Sequence, residues 1–257
     1  MENKHTFNAV ANEYEKFRPS YPSELFQGII QYSLIEKHDR ILEIGCGTGQ
    51  ATSGLVDLGY EHITCVELGK NLADITTEKF KHIKSINVIN SAFEDWEGRE
   101  ESYSLAISAT AFHFIQPEIG YPKVSKLLKN KGSAAFFWTV HEPSFDEIYS
   151  AIRDCYQRYA PQLDDINKPS PDEVINERLK ITEQTNLFDE LAVKEYRWFQ
   201  EYTSEQFISF LNTHSGHRLL AEDIRESLFN EIKDVIDQYG GVISKPHLVA
   251  LFLARKK

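Results

Sequence analysis

The chain has 257 residues, 28 Lys and Arg against 39 Asp and Glu, and a net charge of −11. That length suits one α/β domain with an insertion or two small domains, and the acidic balance, with no Lys/Arg run, opposes a nucleic-acid partner. Cys46, Cys65 and Cys155 are odd in number and lack C-x-x-C spacing, arguing against a disulfide framework or zinc site. No apolar run reaches membrane-span length, so a cytoplasmic protein with reduced thiols and no membrane partner is expected.

Near the N-terminus, Tyr14, Phe17, Arg18, Pro19, Tyr21 and Pro22 spell Y-x-x-F-R-P-x-Y-P, and a helix is expected from Pro22 with Leu25, Phe26, Ile29 and Ile30 on one face. Arg40 to Gln50, RILEIGCGTGQ, reads as a buried strand ending in a turn with glycine at every second position. Those glycines, Gly45, Gly47 and Gly49, let backbone approach a ligand closely, and a helix from about Thr48 would turn its free N–H groups toward it. The next strand, 63–66, ends at Glu67, 22 residues beyond Gly45. At that offset a carboxylate at the tip of a second strand can accept from a ribose diol.

A helix over 71–80 and a strand over 86–89 lead to Ser91-Ala92-Phe93-Glu94-Asp95-Trp96. Strand four, 104–108, runs into a segment containing His113, followed by a helix over 117–130 and a strand over 133–138. Beyond Val140, Ser144-x-x-Glu147 has the form of a capping box for a helix carrying Phe145, Ile148, Ile152, Cys155 and Tyr159. A Pro/Asp-rich linker and an amphipathic segment follow to Leu187. So long an interval between strands of a parallel sheet reads as a helical cap, residues 141–192, over the sheet's carboxyl edge. The core, 1–140 and 193–257, resumes with a strand over 193–199. Thr203-x-x-Gln206 then caps a helix, a longer helix buries Ile224, Leu228, Ile232, Val235 and Ile236 and ends at Gly240, and the last strand covers 248–254.

The glycine turn decides between cofactors. A dinucleotide site wants G-x-G-x-x-G, and Gln50 stands where its last glycine would be. Glu43-Ile44-Gly45-Cys46-Gly47-Thr48-Gly49 instead resembles motif I, E-x-G-x-G-x-G, of the class I S-adenosylmethionine (SAM) dependent methyltransferases. The resemblance implies an α/β, Rossmann-like seven-stranded sheet, mostly parallel with an antiparallel last strand, and SAM as cofactor. It also implies Glu43 and the three glycines at the cofactor, Glu67 on the ribose, Leu68 against the adenine, and backbone groups of Ala92 and Phe93 at the adenine edge. The Y-x-x-F-R-P segment resembles one in the trans-aconitate methyltransferase-like proteins that folds over the SAM pocket, which implies that Tyr14 and Arg18 reach the methionine carboxylate. Ser108 and His113 match an S-x-x-x-x-H-[WF] pattern that forms the floor beside the reactive methyl.

His113 is read first as a positioning residue and second as a general base, because a carboxylate acceptor is already nucleophilic. The expected partner is a small-molecule acceptor, methylated at a carboxylate or hydroxyl oxygen. Arg18, Arg153, Arg197, His214 and Arg218 are cations available to a polycarboxylate. No metal-ligand cluster is visible, the N-P-P-Y motif of base and amide methylators is absent, and oligomeric state leaves no trace in the sequence. A non-catalytic SAM-binding protein and a nicotinamide-dependent oxidoreductase are the alternatives.

Overall fold

The computed structural model describes residues 20–165 and 168–257. By internal contacts the chain divides into a sheet unit, Ser20–Thr139, Asp172–Tyr196 and Val249–Lys257, and a second unit that includes Val140–Pro171 and Arg197–Leu248.

In the sheet unit, helix α1 (Ser23–Ser33) precedes β1 (Ile41–Ile44), whose residues are all buried. Helix α2 (Gln50–Asp57), β2 (Ile63–Glu67), α3 (Lys70–Phe80) and β3 (Asn87–Asn90) follow as right-handed crossover units are expected to do. The chain then returns to the other side of β1 with β4 (Tyr103–Ala109), continues through a 3-10 turn (Phe112–Phe114) and helix α4 (Pro117–Leu127), and adds β5 (Leu128–Val140). The sheet has seven strands in the order β3-β2-β1-β4-β5-β7-β6, where β6 is Phe188–Thr203 and β7 is Val242–Lys256. Strands β1 to β5 pair in parallel, Ile41 opposite Ile63 on one side and Leu105 on the other, and the last strand is antiparallel. The order reverses between β1 and β4, and a doubly wound sheet opens a ligand crevice at the carboxyl ends of such a pair.

Strands β6 and β7 are longer than their sequence patterns indicated. The exposed, charged residues of β6, such as Glu195 and Arg197, mask it in the sequence; burial alternates along much of it, as an edge strand with one wet face requires.

The second unit holds the later part of β6, the first part of β7 and the helices α5 (Glu147–Tyr159), α7 (Ser204–Asn212), the short α8 (Ser215–Arg218) and α9 (Glu222–Gln238). Leu228, Ile232 and Ile236 are fully buried with Ile152, Cys155, Phe207 and Phe210 in one cluster. Ile224, expected on that face, is 37% exposed because it lies in the first turn, ahead of the cluster. The division differs from the expected cap over 141–192. Helix α6 (Pro171–Gln184) belongs to the sheet unit, tied there by a 2.9 Å hydrogen bond between the hydroxyls of Thr182 and Tyr121, while residues 197–248 belong to the helical one.

Capping chemistry was half legible. Asp146, not Ser144, caps α5: its carboxylate accepts from the Tyr149 N–H at 3.0 Å, Ser144 bonds to Asp146, and Phe145 is left 80% exposed outside the helix. A charged acceptor adjacent to the first turn outcompetes a neutral hydroxyl two residues earlier. The Thr203–Gln206 box is present in full, with Gln206 N–H donating to Thr203 Oγ1 and Thr203 N–H to Gln206 Oε1. Thr203→Ala should therefore lower stability by about 1 kcal/mol, read as a lower urea midpoint; an unchanged midpoint would show that α7 is held by packing alone.

Candidate active site

Adjacent parallel strands β2, β1 and β4 bring their carboxyl ends side by side, and each ends in a loop carrying candidate residues. After β1, Gly45 (φ 69°) and Gly49 (φ 82°) take the left-handed conformation that disfavours other residues. A Cβ on Gly45 would stand 2.4 Å from Ala111 Cβ, and one on Gly49 would stand 2.7 Å from the Phe80 ring. The turn thus lies flush against the loop after β4 on one side and α3 on the other. Gly45 N–H donates to Val66 O (2.8 Å), and Thr76 Oγ1 donates to Gly47 O (2.8 Å). Helix α2 starts at this turn with no side-chain cap on Gly49.

Glu67 closes the arrangement. Its Oε2 accepts from Gly47 N–H at 2.9 Å and its Oε1 from Gly69 N–H at 2.7 Å, so one carboxylate ties the glycine turn to the loop after β2. Burial pushes its pKa up, opposed by the backbone N–H groups of Gly69, Gly47 and Leu68. Each oxygen can accept a second hydrogen bond, which leaves the carboxylate chemically fit for a diol. Leu68 beside it is half-buried. Asn90, which the sequence reading passed over, holds this loop: Asn90 Nδ2 donates to the carbonyls of Glu67 and Leu68, both at 2.9 Å. The available signal was an amide side chain at the tip of the third strand.

Two residues expected at the cofactor lie within the packing of the sheet. Glu43 has no exposed surface; its Oε2 accepts from Thr52 Oγ1 at 2.6 Å, its Oε1 is buried without a partner, and burial pushes its pKa up to about 8. It therefore braces β1 against α2. Ser108 is equally buried, donating to Ile44 O at 2.7 Å. A β-strand alternates its faces, and both residues point into the sheet's packing layers. The Phe93 side chain is in the core with the Lys123 ammonium 5.2 Å from its ring centroid, and the Ala92 carbonyl already accepts from Asp95 and Trp96 N–H groups. Any ligand contact there falls to other backbone atoms. Tyr14 and Arg18 lie outside the described residues.

His113, on the 3-10 turn after β4, is solvent-accessible. Trp138 Nε1 donates to its Nδ1 at 3.1 Å. An indole N–H can only donate, so Nδ1 is unprotonated and the neutral ring carries its proton on Nε2. Enclosure by surrounding protein first, and the Arg178 charge second, hold its pKa down at about 4. At neutral pH His113 is a hydrogen-bond donor through Nε2 and a weak base. Among the described residues no cluster of His, Cys, Asp and Glu is placed to hold a metal, and no helix is long and apolar enough to cross a membrane.

A family model described as a methyltransferase domain matches residues 41–132, which span β1 to the start of β5 and include the glycine turn and Glu67. Over residues 41–132 the chain is similar to class I methyltransferase domains. The probable S-adenosylmethionine-dependent methyltransferase CRG1 of Saccharomyces cerevisiae is 30% identical over 165 residues, 63% of this chain and 55% of that protein. A structure from Anaeromyxobacter dehalogenans matches this fold with a TM-score of 0.69 at 17% identity, covering 93% of this chain and 98% of its own. Phosphoethanolamine N-methyltransferase 2 of Haemonchus contortus, in complex with phosphomonomethylethanolamine and S-adenosylhomocysteine, matches with a TM-score of 0.58 at 14% identity, over 98% of this chain and 58% of its own. At such identities the structures show the fold. The chain spans about half the length of curated relatives that it matches.

Two measurements check the electrostatics of Glu43 and His113. Because the folded pKa of Glu43 lies above the ordinary carboxylate value of 4.5, folding retains a proton that the unfolded chain releases. Its contribution therefore makes stability fall as pH rises from 4.5 to about 8. Glu43→Gln should flatten that decline in urea midpoints, and an unaltered slope would place the carboxyl in a more polar setting. For His113, nitrogen-15 NMR should show the Nε2–H tautomer through the neutral range, with titration only near 4; an inflection at the ordinary 6.5 would contradict the Trp138 lock.

Proposed function

We propose that this protein is a SAM-dependent methyltransferase that methylates a small-molecule acceptor at a carboxylate or hydroxyl oxygen in the cytoplasm, without a nucleic-acid or membrane partner. The observation that carries the reading is Glu67, whose carboxylate is fastened by Gly47 and Gly69 N–H groups at the tip of β2, beside a turn too tight for side chains. That pairing fits a ribose diol, and the glycine spacing, with Gln50 where the last glycine of a dinucleotide turn would stand, favours SAM over a nicotinamide cofactor.

SAM supplies a methyl group already activated on a sulfonium. What this chain adds is position. Glu67 orients the ribose, the uncapped start of α2 and the glycine turn receive the amino-acid end, and the His113 segment bounds the side where an acceptor arrives. His113 Nε2–H donates to an acceptor oxygen and holds its lone pair toward the methyl. An ionised carboxylate reacts without surrendering a proton; an alcohol would need a base stronger than this histidine. Tyr14 and Arg18 remain our proposal for the methionine carboxylate.

The test is calorimetric. Glu67→Ala should weaken SAM binding by about 1 to 3 kcal/mol, the cost of losing charge-assisted bonds to the ribose. NAD should give no saturable heat with either protein. Unchanged SAM affinity in the variant would remove Glu67 from the site, and saturable NAD binding in the absence of SAM binding would overturn the reading.

A further inference from the structure

A cation whose charge is felt at His113 is one that the sequence did not single out. Arg178, in helix α6 of the sheet unit, lies with its guanidinium 4.9 Å from the centroid of the Trp138 ring, the same Trp138 that donates to His113. Its Nε is buried with no hydrogen-bond partner, and no carboxylate among the described residues pairs with it. A charged donor out of contact with water and without an acceptor is costly, and natural proteins keep such groups where something else supplies the acceptor. The cations favoured from sequence are differently placed. Arg153 donates to Ser144 O and Arg197 pairs with Glu142 at 2.8 Å, both within the helical unit.

We infer that Arg178 reads the methyl acceptor by taking an anionic oxygen group, a carboxylate, at the carboxyl ends of β4 and β5. The inference rests on the methyltransferase reading and sharpens it to a substrate class. The Trp138 ring lies against the guanidinium carbon, while Nε has no acceptor in the protein. Helix α6 is itself anchored one turn further on, where Thr182 Oγ1 donates to Arg178 O at 3.0 Å and meets the Tyr121 hydroxyl. Arg178 and the His113 Nε2–H then present donors to the same region, and a fixed fork of donors suits a carboxylate. The Arg178 charge is felt at this site: it adds to burial in lowering the pKa of His113, and it opposes the larger effect of burial that raises the pKa of Tyr121. On a chain of net charge −11, such a local cation offsets an overall field unfavourable to an anionic acceptor.

The test uses the whole chain as wild type, Arg178→Met, which keeps an apolar stem over Trp138, and Arg178→Lys, which keeps the charge without the fork. Each is titrated calorimetrically with succinate, its dimethyl ester and inorganic phosphate, with and without saturating S-adenosylhomocysteine, and thermal melts verify folding. Succinate should bind the wild type at millimolar concentration and the neutral ester should not. Arg178→Met should lose roughly tenfold or more in succinate affinity, Arg178→Lys less, and neither should change S-adenosylhomocysteine affinity. Equal succinate binding by Arg178→Met, equal binding of the ester, or no succinate binding to the wild type overturns the proposal. Phosphate binding in place of succinate overturns the carboxylate class, and a parallel loss of S-adenosylhomocysteine affinity assigns Arg178 to the cofactor instead. Should the wild type fail to bind S-adenosylhomocysteine, the methyltransferase reading falls, while the titration without cofactor still decides whether Arg178 takes carboxylates.

Discussion

A buried carboxylate needs hydrogen bonds, and Glu67 finds them in two backbone amides that belong to different loops. Once the amides of Gly47 and Gly69 are spent on it, the glycine turn after β1 and the loop after β2 can no longer move independently. Thr76 on the Gly47 carbonyl and Asn90 on the carbonyls of Glu67 and Leu68 complete the lashing from α3 and β3. The cofactor cradle is therefore preorganised by main-chain hydrogen bonds, with the carboxylate's remaining lone pairs left to a ligand.

Beneath that surface lies a second, buried polar layer. Glu43 bonds to Thr52 across β1 and α2, and Ser108 bonds to the Ile44 carbonyl across β1 and β4. Both residues sit in or next to motif-like segments, which is why sequence alone assigned them to the cofactor. Their job is to hold the strand ends at the spacing the turn requires. The high pKa of Glu43 follows from that burial, and it means that at neutral pH the layer holds a mostly protonated acid, avoiding a second buried charge next to Glu67.

Around His113 the chemistry is set by neighbours from three places in the chain. Trp138 at the end of β5 selects its tautomer, Arg178 on α6 opposes its protonation, and the 3-10 turn after β4 leaves it accessible. The outcome is a donor, not a strong base, and a nearby guanidinium whose Nε meets no protein acceptor. That combination suits an acceptor that arrives already ionised.

Much of this was open to a reader of the chain. The E-x-G-x-G-x-G turn, the acid at the tip of the second strand, the positions of the first five strands along the chain and the Thr203 cap depend on local spacing, and local spacing is what a sequence displays. The partition of the helices was not legible, because an amphipathic face records that something will be covered but not by what; α6 went to the sheet unit and α9 to α5. Nor was the burial of Glu43 and Ser108, since a strand's two faces look alike until both layers are packed. Arg178 was missed for the same reason. An arginine in an amphipathic stretch reads as surface, and its meaning came from Trp138, 40 residues away, against whose ring the fold lays it.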